Sequence, residues 1–189
     1  MRIGVFGGSF DPVHNAHLIV AQLASEQLRL DRVHFTVASS QPFKAGQHVA
    51  AAEHRLRMVE LAVAPIPAFV ADGRELRRDG PSYTVDTLRD LGAEHPGAEL
   101  VLIVGADVAD GLARWHEPEE VRRLARIAVC QRGGVSVAGL VHGDEEISVP
   151  SLAISSTAIR ARAAAGRSVA GWVPQPVADY IVASQVYVE

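Results

Sequence analysis

The chain holds a single cysteine, Cys130, so no internal disulfide can form, and a reducing, cytoplasmic setting is expected. No apolar run approaches the ~20 residues of a membrane span. The first residues, MRIGVFGG, show no basic segment leading into a long apolar one, so no membrane association is expected. Positive charge is not in excess either: 18 Lys and Arg stand against 22 Asp and Glu, a net charge of −4. That excludes a general attraction to nucleic acid, and any polyanion that binds must meet a local positive site. Low-complexity tracts and internal repeats are also lacking.

What is there is an ordinary globular composition, 48% apolar and 21% charged, in 189 residues. That length predicts one domain, 1–189, able to bury about 70% of its extended surface. Near-continuous apolar runs predict strands at 2–6, 32–39, 68–72, 99–107 and 126–132. Helical patterns with start and stop signals cover 14–28, 51–64, 82–94, 118–125, 155–166 and 176–185. Segment 133–149 reads as a loop ending in a short strand. Strands that alternate with helices and lack polar alternation predict an α/β fold, a single doubly wound Rossmann-like domain whose parallel sheet is covered by helices on both faces. Ligands of such sheets bind beyond the carboxyl ends of the strands.

Several phosphate and acyl-transfer signatures are missing there. The first strand is followed by Gly7 and Gly8 after Gly4, not G-x-G-x-x-G, and the second ends in Ala38-Ser39-Ser40 rather than an acid for a ribose. A nicotinamide-dependent dehydrogenase is therefore disfavoured. The chain has no G-x-x-x-x-G-K-[ST] loop and no G-x-S-x-G elbow.

In their place stands GVFGGSFDPVHNAH, residues 4–17. Glycines let backbone N–H groups approach an oxyanion. His14 and His17, three apart, share one face of the first helical turn, where free N–H groups and the helix dipole favour a phosphate. The two histidines find no third ligand at a matching position, so no protein-bound metal is expected. A second donor cluster, SLAISSTAIR (151–160), puts Ser155, Ser156 and Thr157 at a helix start with Arg160 one turn in. His34, His48, His54, His95, His116 and His142 are scattered and read as solvated or locally bonded; RELRR (74–78) reads as a solvated loop face and Cys130 as core.

GGSFDPVHNAH and ISSTAIR together resemble the (H/T)xGH nucleotidyltransferase superfamily. SSQPFK (39–44), SYTVDTL (82–88) and GADVADGLARW (105–115) narrow the resemblance to the bacterial nicotinate mononucleotide adenylyltransferases. It spans the chain in order and size. One departure is Ala16, where the family has glycine before the second histidine.

The resemblance implies transfer of AMP from ATP to nicotinate mononucleotide, with release of pyrophosphate. It implies that Gly7, Gly8, Ser9 and Phe10 line the phosphates and ribose of ATP, and that His14, His17, Lys44 and Arg160 form the catalytic set, His17 foremost. Gly105 and Asp107 would meet a ribose. Ser155, Ser156 and Thr157 would add ATP contacts, and Thr84 and Trp115 would hold the pyridine ring. Mg²⁺ would arrive with ATP. The alternatives are an adenylyltransferase acting on nicotinamide mononucleotide or phosphopantetheine, and a nucleotide-binding sensor without turnover. Homo-oligomerisation is left open.

Overall fold

Leu100 to Val104 place five apolar side chains in a row, and none is more than 6% exposed. Alternate residues of a strand face opposite sides of the sheet. Val101 and Ile103 enter one hydrophobic cluster, and Leu100, Leu102 and Val104 enter another. A strand buried on both faces is the signature of a central parallel strand. The computed structural model, which describes residues 1–39, 49–132 and 144–188, bears this out.

Among these residues six strands form one sheet: β1 (Arg2–Gly8), β2 (Arg32–Val37), β3 (Phe69–Asp72), β4 (Glu99–Gly105), β5 (Ala125–Arg132) and β6 (Glu145–Val149). Their order is β3-β2-β1-β4-β5-β6, with every neighbouring pair parallel. The helices are α1 (Asn15–Leu28), α2 (Ala52–Val63), α3 (Thr84–Glu94), α4 (Ala106–Ala109), α5 (Pro118–Leu124), α6 (Ser156–Ala164) and α7 (Gln175–Ala183). Buried residues of α1, α2, α6 and α7 join the cluster that contains Phe35 and Ile103. Those of α3 and α5 join the opposite cluster, with Val5 and Leu102. The sheet is thus covered on both faces, as the doubly wound expectation requires.

The order reverses between β1 and β4. Their crossovers leave in opposite directions, so a crevice opens where both strands end. β1 runs two residues beyond its expected end and carries Gly7 and Gly8 to that crevice. β4 stops at Gly105, and the chain coils into the one-turn α4, so Asp107 lies on that turn and not on the strand. α3 starts at Thr84, leaving Ser82 outside the helix and Tyr83 as an extended cap residue.

RELRR is the clear correction. It forms a 3₁₀ turn at Arg74–Arg77, and Arg74 and Glu75 are buried. Arg74 donates to Asp72 through Nε at 2.7 Å and to both oxygens of Glu94 at 3.1 and 3.0 Å. A buried charge needs such partners. They come from β3 and α3, and a run of like residues cannot reveal them.

Candidate active site

The carboxyl ends of β1, β2 and β4 open into a cavity of about 950 Å³. Its walls come from the Gly7–Asp11 loop, the start of α3, the Gly105–His116 stretch and the first turn of α6. Most residues picked out from the sequence converge here although they come from segments far apart in the chain. Gly7, Gly8, Ser9, Phe10, His17, Thr84, Gly105, Trp115, Ser156, Thr157 and Arg160 all border it.

Gly8 has a steric reason, whereas a Cβ on Gly7 would meet nothing within 4 Å. A Cβ on Gly8 would stand 3.0–3.2 Å from the ring of Phe10. Phe10 is buried and takes a left-handed backbone with φ 47°, a conformation that a side chain disfavours and that only tight surroundings maintain. Its ring meets His17 edge-on at 5.1 Å and Phe6 at 5.8 Å. Phe10 thus braces the floor under the loop.

His14 caps α1, and His17 is the third residue of that helix. Their rings stack at 3.7 Å with an 18° tilt. The His14 backbone N–H donates to His17 Nδ1 at 3.2 Å. A ring nitrogen that accepts carries no proton, so the neutral His17 ring has its proton on Nε2. His17 borders the cavity; His14, 6% exposed, packs against it from behind. Of the two rings, only that of His17 is among those that line the cavity.

Next to this turn, Ser155 caps α6, and its hydroxyl accepts the Ala158 N–H. Ser156 donates to the Pro12 carbonyl at 2.9 Å. Arg160 donates to the Asp11 carbonyl at 2.7 Å and to Thr157 Oγ1 at 3.3 Å. The first turn of α6 is in this way tied to the turn before α1, and two helix starts meet at one corner. Lys44 lies outside the described residues, as do His48 and His142. Asp107 is placed by its backbone at the carboxyl end of β4. Among the described residues no group of three or more His, Cys, Asp or Glu side chains is arranged to hold a metal ion, and no helix is long and apolar enough to cross a membrane.

Sequence reasoning missed four side chains. Arg55, on α2 and 1% exposed, donates from Nη1 to the Ser9 and Ala38 carbonyls, both at 2.8 Å, and so clamps the ends of β1 and β2 together. Burial lowers its pKa against the attraction of Asp11. Glu75 borders the cavity beside Thr84 and accepts the Thr87 hydroxyl at 2.7 Å. Burial pushes its carboxyl up, opposed by the Thr87 and Ser82 hydroxyls and by Arg78. Ser82 in turn accepts the Ser39 N–H at 3.0 Å, which joins the end of β2 to the start of α3. His116, half-exposed and 3.4 Å from the Glu117 carboxylate as a locally bonded histidine would be, also borders the cavity beside Trp115, its ring tilted 32° against Tyr83 at 4.3 Å. The fourth, Asp11, accepts Val49 and Ala50 N–H groups.

Against known proteins, the model of the family described as cytidylyltransferase-like matches residues 5–162. A probable nicotinate-nucleotide adenylyltransferase of Thermus thermophilus is 46% identical over 187 residues, covering 99% of this chain and 100% of the relative. One from Salinibacter ruber is 42% identical over 191 residues, covering 99% and 98%. Among solved structures, a Plasmodium falciparum nicotinic acid mononucleotide adenylyltransferase complexed with NaAD superposes with a TM-score of 0.79 at 19% identity, covering 98% of this chain and 97% of that one. At that identity the likeness speaks for the fold.

Proposed function

From the premise that the chain belongs to the cytidylyltransferase-like family, and within it to the nicotinate-nucleotide adenylyltransferases, we propose how its cleft carries out their reaction. The AMP moiety of ATP passes to nicotinate mononucleotide, giving nicotinate adenine dinucleotide and pyrophosphate. The nucleophile is a phosphate monoester, whose second pKa is about 6; it is largely ionised at neutral pH and needs no general base. The obstacle is charge. One polyanion attacks another, and negative charge moves onto the leaving pyrophosphate. Positioning and fixed positive charge are what such a transfer requires.

The observation that carries this reading is the corner where the two helix starts meet. His17, with its proton on Nε2, the Gly7–Ser9 stretch at the end of β1 and Arg160 border one cavity in a chain of net negative charge. In our reading, Gly7, Gly8, Ser9 and Phe10 hold the phosphates and ribose of ATP. His17 and Arg160, with Lys44, stabilise the charge that develops on pyrophosphate. His14 holds the His17 ring by stacking. Ser156 and Thr157 add contacts to ATP, Ser155 serves through the cap of α6, and Gly105 and Asp107 serve a ribose. Mg²⁺ brought in with ATP would neutralise part of the triphosphate charge, leaving the rest to these side chains.

Thr84 and Trp115 are assigned to the mononucleotide. An indole stacks on a flat heterocycle and gains from that ring's positive charge. A carboxylate on the ring asks only for donors, whereas an amide asks for a donor and an acceptor; the Thr84 hydroxyl and the free N–H groups at the start of α3 suit the acid. A cytoplasmic setting fits the single buried cysteine.

The test mixes protein and Mg-ATP with nicotinate or nicotinamide mononucleotide and follows pyrophosphate. Release with the acid, and far less with the amide, is expected. Release with neither sinks the proposal.

A further inference from the structure

At the edge of the cleft, Asp11 anchors a polar cluster whose side chains, Arg160 apart, have no part in the steps above. Asp11 is 3% exposed. Its Oδ2 accepts the Val49 N–H at 2.8 Å, and its Oδ1 accepts the Ala50 N–H at 3.2 Å and the Tyr187 hydroxyl at 2.6 Å. Its main-chain carbonyl accepts Arg160 Nη1 at 2.7 Å. One residue therefore holds the entry to α2 and the turn after α7 through its side chain, and a cleft-lining guanidinium through its backbone.

Tyr187 reaches this place against local preference. Gln185 and Tyr187 both take left-handed backbones, with φ 50° and φ 70°, where residues other than glycine are disfavoured. Its ring belongs to the larger hydrophobic cluster, a role that phenylalanine would fill equally well. The hydroxyl has a separate role. It makes a short, charge-assisted bond to the one residue whose peptide carbonyl orients Arg160. Burial first, and then the Asp11 carboxylate, push the hydroxyl's pKa up, so it remains a donor throughout the working pH range. Tyr187 is not among the residues that line the cavity.

We propose that Tyr187 is a positioning residue for adenylyl transfer: its hydrogen bond to Asp11 fixes the carbonyl that aims Arg160, and thereby the wall that meets the ATP phosphates. The inference rests on the function proposed above. It adds the turn after α7, 176 residues from Asp11 in sequence, to the machinery for the nucleotide half of the reaction.

The experiment compares the parent chain, Tyr187→Phe, Arg160→Lys and the double variant in steady-state kinetics with both substrates. Tyr187→Phe is expected to lower kcat/KM for ATP about tenfold, the scale seen when the partner that orients a functional group is lost, with KM for the mononucleotide unchanged. In the Arg160→Lys background the same substitution should cost less than about twofold, because the path runs through Arg160 and coupled residues are not additive. Thermal melting of each variant checks that it is folded at the assay temperature. A folded Tyr187→Phe variant with unchanged kcat and KM values overturns the inference alone. So does a loss as large in the Arg160→Lys background as in the parent. A parent chain that makes no dinucleotide overturns the inference together with the function beneath it. If Tyr187→Phe does not fold, Tyr187→His, which keeps a ring and a donor, must restore both folding and ATP turnover; failure to do so counts against the inference.

Discussion

Replacing Arg55 with methionine tests the clamp behind the cleft. Arg55 is 1% exposed, and its Nη1 alone serves the Ser9 and Ala38 carbonyls. Methionine keeps most of the apolar stem but takes the Arg55 donor from the buried Ala38 carbonyl and from the half-buried Ser9 carbonyl. An orphaned buried acceptor costs about 1–3 kcal/mol, and one within reach of water costs less, so the pair costs roughly 2–4 kcal/mol. Removing the guanidinium also removes its desolvation penalty, which offsets part of that loss. A net destabilisation of about 2 kcal/mol is expected, and in a chain of this length it lowers Tm by about 4–8 °C. Arg55→Lys keeps the charge and reaches less far, so it should fall between parent and Arg55→Met. The assay is thermal and urea unfolding followed by circular dichroism, with activity measured well below each midpoint. Because Arg55 ties the ends of β1 and β2 at the mouth of the cleft, kcat should drop in the folded variant too. A loss of under about 1 kcal/mol would show that the two carbonyls find other donors, and the clamp would then be no more than packing.

Three further outcomes are expected. His17→Ala should keep the fold and lose roughly 10²–10³ in kcat, the scale for one lost charge-stabilising donor; near-normal turnover would remove His17 from the chemistry. Trp115→Ala should raise KM for the mononucleotide more than KM for ATP, and the reverse order in steady-state kinetics would contradict stacking on the pyridine ring. Asp72 gives a pH signature. Burial pushes its carboxyl up, but hydrogen bonds from His34 and Arg74 outweigh burial and hold it down at about 2 against an ordinary 3.8. A carboxyl depressed in the folded state stabilises above its unfolded pKa and loses that stabilisation as the pH falls toward its folded one, here from about 4 to about 2. Asp72→Asn should therefore cost about 2 kcal/mol at neutral pH, and its gap to the parent in urea midpoint should close over that window; a gap independent of pH would refute the account.

The elements were largely legible because each was written locally. The apolar run at Leu100–Val104, Pro118 at the start of α5 with its acids, and the Gly-Gly pair closing β1 are all short-range signals. Element ends shifted by a residue or two where caps decided them, as at Thr84 and Gly105. The half of the site held in GGSFDPVHNAH was legible for the same reason: a strand end, a turn and a helix start follow one another without a break. RELRR was misread because charge in a row looks solvated when its partners lie on other elements, and Arg74 finds them in Asp72 and Glu94. Arg55, Glu75, His116 and Tyr187 left no local trace at all.

The sequence by itself determined the sheet and helices, their alternation, and the chemical types gathered at the first corner, since burial pattern and turn chemistry act over a few residues. Only the tertiary structure decided that α6 meets the start of α1, that His14 supports while His17 faces the cleft, and that Asp11 joins Val49, Arg160 and Tyr187. Hydrogen bonds between segments far apart in the chain depend on where the crossovers place them, and no window of neighbouring residues carries that information.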